Sequence, residues 1–199
     1  MSHIKVKINK VNNLTDARYF AAMGVDYLGF CCNTGTEMYC SPSKIKDITS
    51  WVQGPTFVLE FDGWQSEEEI KAIIATELGQ AVHFGAFATY GDTFEIPVFK
   101  DFILENLLEA DFSEVDYPVF RSDKNYLDLT DKELKVLKEE LTAKKAFLDI
   151  HFDIDTLPKI LDTLPIYGLV IRGGEEEKIG FKSFEELDNI FEILESNLS

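Results

Sequence analysis

Lys7-Ile8-Asn9-Lys10-Val11-Asn12-Asn13-Leu14-Thr15-Asp16-Ala17, continued by Gly24-Val25-Asp26-Tyr27-Leu28-Gly29-Phe30, reads as strand, loop, helix and strand. Ile4, Val6 and Ile8 alternate with Lys5 and Lys7, the period-two signature of a strand. Asn12, Asn13 and Thr15 supply capping side chains, and Asp16 falls in the first helical turn, where the helix dipole favours an anion. Leu14, Ala17, Phe20 and Ala21 keep helical spacing, and Gly24 stops the helix. Val25 to Cys32 is a near-continuous apolar run, the mark of a strand covered on both faces in a parallel sheet.

The unit recurs along the chain. Ser41-Pro42 opens a helix whose apolar face is read as Ile45, Ile48, Trp51 and Val52. Thr56–Phe61 is a third strand, and Ser66 caps a helix with Glu67, Glu68 and Glu69 in its first turn. Ala81–Phe87, Ile96–Ile103, Tyr117–Arg121, Ala146–Phe152 and Tyr167–Ile171 supply strands four to eight. Thr130 caps a helix through Leu134, Leu137 and Leu141, and Phe184–Leu194 closes the chain. Eight strands alternating with helices in one uninterrupted segment predict a single α/β domain over residues 1–199. Both a (β/α)₈ TIM barrel and an open doubly wound sheet fit that pattern, and the count of eight favours the barrel.

Composition narrows the partners. The formal net charge of -17 over 199 residues opposes nucleic-acid backbone and anionic membrane surfaces. No secretory leader or bilayer-length apolar run is read, and Cys31, Cys32 and Cys40, odd in number and clustered, suit a reducing cytoplasm. A monomer or homodimer is expected, with Trp51 and Phe191 placed either in the core or at a dimer contact.

In a barrel the chemistry lies at the carboxyl ends of the strands. Those ends carry Asn9, Cys31-Cys32, Glu60-Phe61, His83, Lys100, Asp123, Asp149–His151 and Arg172–Gly174. Only one of Cys31 and Cys32 can face inward. Cys31, Cys32, Cys40 and His83 lack the spacing of a metal site, so neither a metal nor a cofactor is expected. Gly173-Gly174, with Arg172 beside them, can present backbone amides to a small oxyanion, or make a tight barrel turn. Lys100 at the end of the fifth strand suits a base or Schiff-base amine in another sugar isomerase, epimerase or lyase. Asp149, His151 and Asp153 alternate onto one side, as an acid/base cluster or as a solvated loop.

The opening stretch resembles the phosphoribosylanthranilate isomerase family, whose first strand and loop typically read K-I-C-G-I-T-N-L-E-D-A, then G-x-D-x-L-G-F. Lys7, Ile8, Asn13, Leu14, Asp16, Ala17, Gly24, Asp26, Leu28, Gly29 and Phe30 match in place. The family's eighth strand and loop read roughly G-V-D-V-S-S-G-V-E-x-x-P-G-x-K-D, and here Gly168, Gly174, Glu176, Gly180 and Lys182 match without a gap. The two ends of the chain carry the resemblance, and the middle shares the element order. It implies a (β/α)₈ barrel and the Amadori isomerisation of N-(5-phosphoribosyl)anthranilate in tryptophan biosynthesis. It also implies a small phosphorylated and carboxylated ligand. The general acid falls at Asp123, with Ser122 and Arg121 as alternatives, and phosphate falls at Arg172, Gly173 and Gly174, near His151. His83 matches the family's L-H-G strand end.

Three features depart from that pattern. The family's catalytic cysteine is Asn9, whose amide has no proton affinity near neutral pH. The arginine that pairs with the substrate carboxylate is Met38. The two phosphate-binding glycines ending strand seven are Ile150 and His151. Two readings follow: the isomerase with a substitute base at Cys31 or Cys32, or a catalytically degenerate barrel that binds a small anion or a partner protein.

Overall fold

The computed structural model describes residues 4–63, 65–89, 94–172 and 184–196. The opening run folds as strand β1 (Lys5–Asn9), helix α1 (Leu14–Ala22) and strand β2 (Tyr27–Cys31). Asn13 caps α1, its side-chain oxygen accepting from the Asp16 amide at 2.8 Å. There follow α2 (Pro42–Thr49), β3 (Thr56–Phe61), α3 (Glu67–Ile74), β4 (Ala81–Phe84) and β5 (Val98–Ile103). Next come β6 (Tyr117–Asn125), α4 (Asp131–Ala143), β7 (Phe147–His151), α5 (Leu157–Thr163), β8 (Gly168–Arg172) and α6 (Phe184–Ser196). Short 3₁₀ turns at Leu104–Glu109 and Tyr126–Asp128 follow β5 and β6. Ser66 and Thr130 both form full capping boxes, with Glu69 and Glu133 reaching back to the cap amide.

All eight strands pair in parallel and in chain order, and β8 returns to β1 with Lys5–Asn9 against Gly168–Arg172. This is the closed (β/α)₈ barrel. Closure leaves no exposed sheet edge. It also decides what each face of a strand meets. Val6 and Ile8 point out into the layer between sheet and helices, with Leu28, Phe30, Leu59, Phe61 and Leu148. The alternate residues point into the barrel, which the closed sheet shields from water.

The barrel interior has two halves. Its floor is apolar and aromatic: Val58, Ala81, Phe99, Val119, Phe147 and Val170, with Tyr27, Tyr117 and Tyr167 against them. The rings of Phe99 and Tyr117 lie 4.7 Å apart, and Tyr117 stacks on Tyr167 at 5.9 Å. Above the floor most of the inward positions are charged.

Two sequence readings change here. Trp51 does not extend the apolar face of α2, because that helix ends at Thr49, and the indole is 73% exposed. Phe191, in contrast, is buried in the core. Strand β6 runs on to Asn125, four residues past Arg121, with its register against β7 shifting between Arg121 and Asn125.

The floor is tightly filled. A Cβ added at Gly168 would lie 2.2 Å from Phe147 Cε1, inside a ring with no room to retreat. Gly168→Ala should therefore destabilise the fold by about 1–3 kcal/mol, the usual range for overpacking. Urea unfolding reads this directly, and an unchanged midpoint would count against the packing described.

Candidate functional site

Strand alternation places Lys7 and Asn9 of β1, Cys31 of β2, Glu60 of β3 and His83 of β4 at the upper interior, with Asp101 of β5, Arg121 of β6 and Asp149 of β7. They form a nearly continuous ionic chain. Lys7, 0% exposed, gives its ammonium to Glu60 Oε1 at 2.5 Å and to the side-chain oxygen of Asn9. Glu60 Oε2 accepts from the Lys10 amide at 3.0 Å. His83 Nε2 lies 2.8 Å from Asp101 Oδ1, while its Nδ1 faces Glu60 Oε1 at 3.8 Å. Asp101 Oδ2 accepts from Arg121 Nη1 at 3.2 Å, and Arg121 Nε lies 3.9 Å from Asp149 Oδ2.

Gly29 makes the arrangement possible. A Cβ there would stand 1.8 Å from Glu60 Oε1, so the carboxylate occupies the space that a side chain on β2 would take. The ammonium of Lys7 also sits 5.7 Å from the centre of the Phe99 ring, where floor and charged ring meet.

Burial and partners compete over every charge. Burial opposes ionisation of Glu60, but Lys7 and His83 prevail and hold its pKa down at about 2. Asp101 is likewise disfavoured by burial and lowered on balance by His83 and Arg121. Burial and the Lys7 ammonium both disfavour a charged His83, yet Asp101 and Glu60 raise its pKa.

The residues singled out in the sequence divide. Asn9 and His83 lie in the ring, and Arg172 stands beside Asn9 by its backbone register. Asp123 stands in the irregular part of β6 and is exposed, while Arg121, two residues earlier, faces the barrel. His151 ends β7 and is exposed. Gly173 and Gly174 lie outside the described residues. Cys31 faces the mouth, its sulfur 3.5 Å from Thr36 Oγ1. Cys32 faces the core, where burial and then the Glu60 charge push its thiol up to about 12. Lys100 points outward, its amine donating to the carbonyls of Gly85 at 2.8 Å and Ala88 at 2.5 Å. A base or Schiff-base role inside the barrel is therefore out of its reach.

Sequence reasoning missed Lys7 and Asp101 as members of the site. A signal was present. Lys7 is two residues before Asn9, and Asp101 two after Phe99, so period two puts each on the same face as a residue inside the barrel. Among the described residues no group of His, Cys, Asp and Glu is arranged to hold a metal ion. No described helix is long and apolar enough to cross a membrane.

The class is thus a (β/α)₈ barrel with a charged, buried ring at the carboxyl ends of its strands. No protein-family profile and no curated protein matches the sequence. Solved structures do. TrpF from Jonesia denitrificans has a TM-score of 0.80 at 13% identity, covering 97% of each chain. Phosphoribosylanthranilate isomerase from Thermotoga maritima gives 0.77 at 17%, covering 97% of this chain and 99% of that one. The Thermus thermophilus isomerase gives 0.73 at 23%, covering 98% and 100%. The chain therefore has the fold of the phosphoribosylanthranilate isomerase structures from end to end.

Two outcomes are expected of the ring. Lys7→Met strands a buried carboxylate and should cost about 3–5 kcal/mol, part of which Glu60→Gln added to it should restore. Urea unfolding of the two variants checks this, and a double variant no more stable than Lys7→Met would contradict it. The second concerns acid. Glu60 has its folded pKa depressed from 4.5 to about 2, so its contribution is complete above the unfolded value and lost as pH falls through that window. That loss is about 3 kcal/mol, measurable as a falling urea midpoint between about pH 5 and about pH 2. A flat acid limb would refute it.

Proposed function

We propose that this chain is a small-molecule-binding barrel on the phosphoribosylanthranilate isomerase fold, one that does not perform the Amadori rearrangement. Its mouth takes a small carboxylated or phosphorylated molecule. The observation that carries this reading is the state of Asn9: its side-chain oxygen accepts from Lys7, and Lys7 is itself held by Glu60.

The rearrangement needs an acid to open the ribose ring and a base to remove the C2 proton. An amide tied to an ammonium supplies no base, and losing a positioned base costs about 10²- to 10⁴-fold in rate. The replacements fail for separate reasons. Cys32, one residue past β2, packs into the outer core, with its thiol held protonated. Cys31 is buried beside Thr36, with no described cation paired to it. Met38 offers only its sulfur, which accepts from Asn12 Nδ2 at 3.4 Å, where a carboxylate-binding guanidinium would be needed.

Anion binding has better support. Arg121, 29% exposed, is a cation at the mouth that a ligand can reach. Arg172 stands on the neighbouring arc beside Asn9 by backbone register, and Gly173-Gly174 follow it in sequence.

The test is the fluorescence decay of freshly prepared phosphoribosylanthranilate with the wild type, Asn9→Cys and Asp123→Asn. No turnover by the wild type, and none gained by Asn9→Cys, is the expected result. Wild-type turnover that disappears in Asp123→Asn would overturn the reading and make the chain an isomerase with another base.

A further inference from the structure

We propose that His83 is a positioning residue whose protonation decides whether the barrel mouth accepts an anion, acting on Arg121 through the carboxylate of Asp101. The proposal rests on the anion-binding reading of the mouth and adds its regulation.

The geometry carries it. Asp101 is shared between two basic side chains: one oxygen meets His83 Nε2 at 2.8 Å, and the other accepts from Arg121 Nη1 at 3.2 Å. The second ring nitrogen of His83 is buried, has no hydrogen-bond partner among the described residues, and faces Glu60 Oε1 at 3.8 Å. Both nitrogens thus look at carboxylate oxygens. Only the imidazolium, a donor at both positions, suits that setting.

Charge pairing points the same way. Asp101 lies between His83 and Arg121, so a proton on His83 offsets part of the carboxylate's charge. Without the proton, Asp101 turns its whole charge on Arg121. In a buried setting such a difference is weakly screened. An anion arriving at Arg121 then meets repulsion from Asp101 and Asp149 that the imidazolium would have offset.

Every neighbouring strand contributes to the balance. Lys7 of β1 disfavours the imidazolium, as does burial itself. Glu60 of β3 and Asp101 of β5 favour it and prevail, raising the pKa. Arg121 of β6 and Asp149 of β7 stand beyond Asp101. Cys31 of β2 stands at the mouth, next to Glu60 in the β2–β3 register. Phe99 packs 6.0 Å from the imidazole, which keeps that side apolar. Because the folded pKa is raised, the imidazolium is complete at low pH and is lost as pH rises through the raised value. Anion affinity follows it, high below and falling above.

The experiment measures sulfate binding to the full chain by calorimetry between about pH 6 and about pH 9, a range in which histidine titrates and sulfate keeps its charge. Affinity should fall with rising pH, approaching about tenfold per pH unit once His83 is mostly neutral. In the same protein, the His83 ring followed by NMR should titrate at higher pH with sulfate present, since linkage is reciprocal. His83→Gln should bind sulfate weakly and with a flatter profile, and the ring titration needs no variant at all. Sulfate affinity independent of pH, or a His83 titration that sulfate leaves unmoved, overturns the coupling while leaving the anion site standing. No sulfate binding at any pH overturns the anion site and the coupling together.

Discussion

The ion pair between Lys7 and Glu60 organises the upper half of the barrel. Both side chains are taken out of water, a cost of several kcal/mol per ion that their attraction offsets only when geometry is good and the remaining polar atoms are satisfied. That condition propagates outward. Gly29 has no side chain because Glu60 fills its space. The Lys10 amide turns toward Glu60 Oε2, and Asn9 turns its oxygen toward the ammonium. His83, Asp101, Arg121 and Asp149 continue the chain of charges around the barrel. An ion pair so enclosed adds little net stability over an apolar pair of equal volume, so its effect is on which arrangement of side chains is allowed.

The same constraint shapes the chemistry. A cation serves a ligand only with the charge its internal partners leave it. Lys7 is spent within the protein, while Arg121, shared with Asp101 and Asp149, is still 29% exposed at the mouth. The Asn9 side chain is a hydrogen-bond acceptor for Lys7. The upper interior is thus organised around internal charge pairing. A shared barrel does not bring a shared reaction with it.

Legibility in the sequence followed periodicity. The alternation in β1, the caps at Asn13, Ser66 and Thr130, and the stop at Gly24 are local, and each appears in the structure close to where the residues placed it. Strand ends blurred by up to three residues, as at β4, which stops at Phe84 rather than Phe87, and β6 ran on because nothing in Ser122-Asp123-Lys124 forbids an extended chain. Trp51 failed as a core residue because its helix stops at Thr49, and helical spacing says nothing past the end.

The sequence by itself determined the eight alternating units, the resemblance at both ends, and the absence of a cysteine at position 9. Each rests on local pattern or on the identity of a single residue. Only the tertiary structure decided which face of each strand is inside. The lysines of β1 read as the polar side of an ordinary amphipathic strand, yet closure of the barrel turned Lys7 into its most enclosed charge. Likewise, Lys100 was drawn outward to two loop carbonyls, while its neighbour Asp101 was turned in to join His83 and Arg121. Partners so far apart in sequence meet through strand register, a property of the closed sheet that no single segment carries.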